Sequence, residues 1–211
     1  MYTNALSLLA LFAGVSVASP MPSGTTTDAA SCSTAASATS SASASSTAIP
    51  ADAKFGLMAL RSASPVHFAQ FDAALSSVFL NLPAQNASCD AGAADSATFY
   101  LDDGALYLYA ASATPQQLYA DRSGMGQGKF GYTTGAQSGP RNGERTTFAL
   151  DQYGDLTLNG AGFLACPNSI DGAWSVWVDA GVSEPAGNSD CLGISVRAVE
   201  IAEPNGCVYT E

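Results

Sequence analysis

The chain has 211 residues, with 18 acidic side chains against 7 basic ones and a formal net charge of −11. A surface of that sign repels nucleic acid and anionic lipid, which sets both aside as partners. Large apolar and aromatic residues gather from Phe55 onward, enough chain for one core and too little for two.

Residues 1–18 read as a cleavable secretory leader. Its apolar core, Ala5 to Val17, is too short and too lightly flanked to span a bilayer, and Ser16 and Ala18 supply the small residues a signal peptidase needs just before its cut. Residues 19–54 form a Ser/Thr/Ala-rich segment that holds almost no large apolar side chain. Such a segment cannot bury enough surface to offset the entropy of ordering its backbone, so it is expected to be disordered, and its hydroxyls in an exported chain invite O-linked sugar. Residues 55–211 are expected to be a single compact all-β domain. Once the leader is removed, no membrane partner is expected.

In chain order, Phe55–Leu60 and Pro65–Phe71 flank a loose turn at Arg61–Ser64, and Asp72–Leu80 carries apolar spacing that suggests a helical turn or two. Asn86-Ala-Ser88 is a complete N-glycosylation sequon beside Cys89. Phe99 and Leu101 alternate up to the tight-turn dipeptide Asp103-Gly104, and Leu106 and Leu108 resume the alternation, which predicts a hairpin. About fifty residues later the design returns in Phe148, Leu150, a turn through Tyr153-Gly154-Asp155, then Leu156 and Leu158. With the first unit counted as a looser third copy, the pattern favours a trefoil-like closed barrel, with a two-sheet β-sandwich as the alternative. Later strands are expected around Trp174, Val176 and Val178 and across Cys191–Ile201.

The residues that could carry chemistry mostly have structural explanations. His67 is the one histidine, no G-x-S-x-G elbow accompanies it, and no dense Asp/Asn loop or C-x-x-C pair offers a metal site, so no metal or cofactor is expected. Asp102, Asp103, Asp151 and Asp155 fall at hairpin turns, where their side chains bond nearby backbone N–H groups. Gly124, Gly126 and Gly128 lack the Lys-Ser/Thr ending of a phosphate-cradling loop and read as a tight connection. No catalysis is expected.

The aromatic residues carry the binding expectation, because sugars offer C–H faces that stack on exposed rings. With Phe99, Leu101, Leu106 and Leu108 pointing inward, Tyr100, Tyr107 and Tyr109 share the opposite face of one hairpin. Trp174 and Trp177 are an odd number of positions apart and point to opposite faces. Trp174 joins the core with Val176 and Val178, which makes Trp177 the candidate contact. Of the five cysteines, Cys32 lies in the low-complexity segment, and Cys89, Cys166, Cys191 and Cys207 can pair in three ways.

Several strings resemble the fungal family of PhiA-type cell wall and IgE-binding proteins. They are Phe55-Gly-Leu-Met-Ala-Leu-Arg-Ser-Ala-Ser-Pro-Val-His67, Asp121-Arg-Ser-Gly-Met-Gly-Gln-Gly128, Pro140-Arg-Asn-Gly-Glu144, Ala165-Cys-Pro167, Gly172-Ala-Trp-Ser-Val-Trp177 and Cys191-Leu-Gly-Ile-Ser-Val-Arg-Ala-Val199. The resemblance covers the whole domain and brings no catalytic residues. It implies a secreted, wall-associated protein, with host antibody recognition in some relatives. It also implies a Cys166–Cys191 bridge, leaving Cys89 to Cys207. PhiA-type members tend to carry glycine where this chain has Ala63.

The expected function is therefore that of a secreted, glycosylated structural or antigenic protein of the cell wall, with wall polysaccharide or other wall proteins as partners. The alternative is a carbohydrate-binding module using Trp177 or the Tyr100, Tyr107 and Tyr109 face. A glycoside hydrolase, which needs two carboxylates across a sugar bond, ranks behind both.

Overall fold

The computed structural model describes residues 49–211, so the leader, most of the Ser/Thr/Ala-rich segment and Cys32 lie outside the described residues. Fourteen strands follow in chain order: β1 (Phe55–Leu60), β2 (Phe71–Ala74), β3 (Ser77–Leu80), β4 (Ser88–Cys89), β5 (Thr98–Asp102), β6 (Ala105–Leu108), β7 (Gln116–Asp121), β8 (Lys129–Thr134), β9 (Phe148–Leu150), β10 (Leu156–Leu158), β11 (Phe163–Cys166), β12 (Trp174–Val178), β13 (Leu192–Glu200) and β14 (Cys207–Val208). The helical content among these residues is two single 3-10 turns, Ile170–Gly172 and Pro185–Gly187.

The all-β expectation holds, and the sheet closes on itself. The ring runs β11-β13-β1-β5-β6-β7-β8, meets β3 and β12, and returns through the β11–β12 pairing. Nine antiparallel strands thus form a closed barrel, not the sandwich alternative. Closure leaves no unpaired edge in the ring, which removes a template for aggregation. The first strand lies against the last long one, Phe55 opposite Glu200 through Leu60 opposite Ser195.

Alternation explains the core. In β1 the buried residues are Phe55, Leu57 and Ala59; in β7 they are Gln116, Leu118 and Ala120. Phe99, Leu106, Leu108, Phe130, Val176, Val178, Phe163 and Val196 converge on the same interior. Each such side chain contributes about 1.5–3 kcal/mol when fully removed from water. Phe130 packs on Phe163 at 5.4 Å and on Phe148 at 6.0 Å. Phe148 belongs to the β9–β10 hairpin, which caps the barrel end marked by the Asp103-Gly104 turn, where the Phe148 N–H donates to the Gly104 carbonyl. The opposite end is plugged by the C-terminal segment through Cys207 and Tyr209.

Both hairpins expected from turn chemistry form. Asp102 pairs with Ala105 across a two-residue turn in which Asp103 and Gly104 have φ of 44° and 78°. Asp151 Oδ1 accepts from the N–H groups of Tyr153 and Asp155 and shapes the second turn, the one of the four turn aspartates whose side chain does so; the Asp155 carboxylate instead pairs with Arg197. The loose first unit appears as a Met58–Gln70 bridge.

The helical reading of Asp72–Leu80 is corrected: this segment is the β2–β3 hairpin, with Phe71 opposite Leu80 and Ala74 opposite Ser77. Every residue of β2 is buried, so its sequence lacks the alternation of a strand with one wet face. The turn residues Leu75 and Ser76 both have positive φ without being glycine. Their N–H groups donate to the Thr210 side chain and carbonyl, at 3.1 Å each, which holds the turn from the C-terminal segment.

Candidate functional site

The outer face of the barrel carries the aromatic candidates. Lys54, Tyr100 and Tyr107 face outward because their neighbours Phe55, Phe99, Leu106 and Leu108 fill the interior. Tyr100 lies directly opposite Tyr107 in the register, and their rings stack at 5.1 Å with an interplanar angle of 16°. The Lys54 ammonium sits 4.7 Å from the Tyr100 ring centre and 5.8 Å from that of Tyr109, so the three tyrosines form one half-exposed patch. Partial burial, then the neighbouring Tyr107 and Asp102, raise the Tyr100 phenol above its ordinary pKa. It therefore stays a neutral hydrogen-bond donor across physiological pH.

Trp177 lies on the outer face, as the parity argument requires, but it is not the open contact expected of it. Its exposure is 9%. Its Nε1–H donates to Ser175 Oγ at 3.0 Å, and the Lys129 ammonium lies 5.7 Å from the ring. Loops fold toward it, and the indole becomes one wall of a groove of about 320 Å³ shared with Tyr119, Asp121, Met125, Lys129 and Pro140. Trp174 is half-buried against the core, and Val176 and Val178 are fully inside it.

The sequence reading missed Tyr119, Asp121 and Lys129. The alternation of β7, with Gln117, Tyr119 and Asp121 as the less buried set, could have placed two of them. Tyr119 is opposite Gly131, and a Cβ there would come within 2.5 Å of the Ser76 carbonyl and 3.2 Å of the Tyr119 hydroxyl, so the bare backbone makes room for the ring. The Arg145 guanidinium lies 5.9 Å from the Tyr119 ring and donates to Gln117 Oε1 at 2.9 Å and Thr133 Oγ1 at 2.7 Å. Burial raises the Tyr119 phenol, against the lowering by Arg145, and burial lowers the Lys129 ammonium.

The glycine-rich connection between β7 and β8 closes on itself instead of presenting its amides to an anion. The N–H groups of Gly126, Gln127 and Gly128 donate to Ser123 Oγ, the Ser123 carbonyl and the Asp121 carbonyl. A Cβ on Gly128 would stand 2.0 Å from the Val178 carbonyl, at φ of +95°, so the loop needs glycine there for close approach. His67 is also held structurally: Nδ1 accepts from the Arg61 N–H at 3.1 Å, and its ring stacks on Phe68 at 3.8 Å.

Asn86 is exposed, with φ of 52°, in the loop that leads into β4. Disulfides join Cys89 to Cys207 and Cys166 to Cys191, the pairing that the resemblance implies. Among buried groups, Asp72 has its carboxyl pushed up to about 6 by burial, opposed by the Leu82 N–H that donates to Oδ2 at 2.9 Å. At 4% exposure it cannot reach a polymer.

A family model described as PhiA-like secreted protein matches residues 55–210. The chain is 58% identical over 162 residues to "Cell wall protein phiA" of Aspergillus fumigatus, covering 77% of this chain and 88% of that protein. It is 55% identical over 156 residues to the protein of the same name from Aspergillus niger, covering 74% and 85%, and 51% identical over 166 residues to that of Emericella nidulans, covering 78% and 91%. No solved structure is significantly similar to the chain.

Proposed function

The chain belongs to the PhiA-like secreted protein family, and from that premise we propose that it is a non-catalytic structural component of the fungal cell wall. Support comes from relatives named as cell wall proteins and from a closed, disulfide-tied barrel whose strongly shifted carboxyl, Asp72, is sealed from solvent. Retention in the wall, on this reading, is non-covalent contact between the outer barrel face and polysaccharide. The observation that carries the contact is the outward-facing, half-exposed Tyr100–Tyr107 stack, which joins Tyr109 in one aromatic patch. A glycan on Asn86 and recognition by host IgE belong to the same proposal, because both need the exposed surface that the sequon loop offers.

Sequential extraction of walls with detergent, reductant and mild alkali tests retention. Release by detergent supports non-covalent holding, and release by alkali alone would replace it with an ester link. Pull-down on insoluble glucan, mannan and chitin tests the contact. Retention equal to the parent for the folded triple variant Tyr100→Ala, Tyr107→Ala, Tyr109→Ala would remove the tyrosine face from it.

A further inference from the structure

We propose that the groove beside Trp177 is a binding subsite for a neutral pyranose unit of a linear polysaccharide. The inference rests on the polysaccharide-contact reading above and assigns it a second place on the barrel. Four observations converge.

First, the groove has two aromatic walls. Trp177 and Tyr119 come from β12 and β7 and border a cavity of about 320 Å³, the lower end of the size range of small-ligand clefts. Second, it offers both hydrogen-bonding signs. Asp121 and Lys129 stand directly opposite in the β7–β8 register and both line the groove. The ion pairs among the described residues are Arg122–Glu144 and Arg197–Asp155, so neither Asp121 nor Lys129 is neutralised by a salt bridge. Asp121 Oδ1 accepts from the Ser123 N–H at 3.0 Å, which leaves Oδ2 as an acceptor, and Lys129 Nζ gives one hydrogen to Ser77 Oγ at 2.7 Å, which leaves two donors. A sugar hydroxyl both donates and accepts, and this pair meets both needs.

Third, charges of both signs border the groove, so neither an anion nor a cation is favoured. Asp121 and the net charge of −11 oppose an anion, and Lys129, with Arg145 over Tyr119, opposes a cation. Fourth, the groove and the tyrosine face share the outer surface of neighbouring strands. Tyr119 is two residues along β7 from Gln117, and Gln117 lies opposite Tyr107. Arg145 bridges the step by bonding Gln117 and Thr133 while lying over Tyr119. A linear chain leaving the groove along this diagonal crosses Arg145 and then meets the Tyr100–Tyr107 pair.

The test is titration of the folded, oxidised full chain with gluco-, manno- and chito-oligosaccharides of increasing length, read by tryptophan fluorescence and calorimetry. Saturable binding of at least one neutral series is expected, tightening with length. Lys129→Met, Asp121→Asn and Tyr119→Phe should each weaken it about tenfold, while Tyr153→Ala, an exposed change on a distant turn, should not. Tyr119→Phe removes one hydroxyl only and stands in if the other variants fail to fold. Unchanged affinity in all three groove variants overturns the subsite. If affinity is then lost in Tyr100→Ala and Tyr107→Ala instead, the polysaccharide reading survives without the groove. Binding of oligogalacturonates alone overturns the neutral assignment. No oligosaccharide binding and no retention on insoluble glucan, mannan or chitin overturns both.

Discussion

The Gln116 side chain pairs with the backbone of Tyr209 as a neighbouring strand would. Its Oε1 accepts from the Tyr209 N–H at 2.8 Å, and its Nε2 donates to the Tyr209 carbonyl at 2.9 Å and to Thr134 Oγ1 at 2.9 Å. Gln116 is fully buried and Tyr209 nearly so, at 2% exposure. A single inward polar residue of β7 therefore fixes the plug at one end of the barrel. Gln116→Leu keeps the volume but leaves the Tyr209 N–H and carbonyl without partners. Each orphaned group costs about 1–3 kcal/mol, so a loss of about 2–5 kcal/mol in urea unfolding is expected, with faster hydrogen exchange at the Tyr209 amide. Wild-type stability in this variant would contradict the pairing.

Asp72 makes stability depend on pH in a defined direction. Its folded pKa, near 6, lies above the unfolded value of 3.8, so the folded state binds the proton more tightly. The contribution is fully present below about pH 4 and is lost as pH rises through about 6. The full loss is about 3 kcal/mol. Asp72→Asn keeps an acceptor for the Leu82 N–H and should flatten this part of the curve. Denaturation midpoints measured from pH 4 to 7.5 check it.

The two disulfides should differ in weight. Cys89–Cys207 closes 118 residues and Cys166–Cys191 closes 25. In the chain-entropy model these correspond to about 5 and about 3.5 kcal/mol. Replacing Cys89 and Cys207 together by alanine should therefore lower stability by about 1.5 kcal/mol more than replacing Cys166 and Cys191. Chemical denaturation of the two double variants gives the comparison.

Ala63 occupies a left-handed backbone conformation, φ of 58°, in an exposed turn. An L-residue pays about 1–2 kcal/mol there, and glycine gives part of that back as unfolded-chain entropy. Ala63→Gly is expected to stabilise the domain by about 0.5–1 kcal/mol. A drop in the unfolding midpoint would contradict the assigned turn.

Local pattern carried much of this fold. Asp103-Gly104 between alternating Phe99, Leu101, Leu106 and Leu108 announced the β5–β6 hairpin, and the same parity put Tyr100 and Tyr107 together outside. Where burial is two-sided, as in β2, period-two alternation vanishes and the strand passed for helix. Trp177 shows the other limit. Parity gave its face, but exposure was decided by loops far away in sequence, including the one carrying Pro140. Tyr119 and Lys129 went unnoticed because the glycines between them drew the reading to the loop instead of to the strands it joins. The β1–β13 contact that closes the ring has no local signature, since its partners are distant in the chain.

That last contact sets a schedule for biosynthesis. Phe55 leaves the ribosome long before Glu200, its partner across the seam, and Cys89 waits through 118 residues for Cys207. A nascent chain can zip its hairpins early but cannot complete the ring, because loop closure over such a span comes only once both ends exist. Closure of the ring thus waits until β13 and Cys207 have emerged, and a product truncated before β13 would be left as an open, sticky sheet.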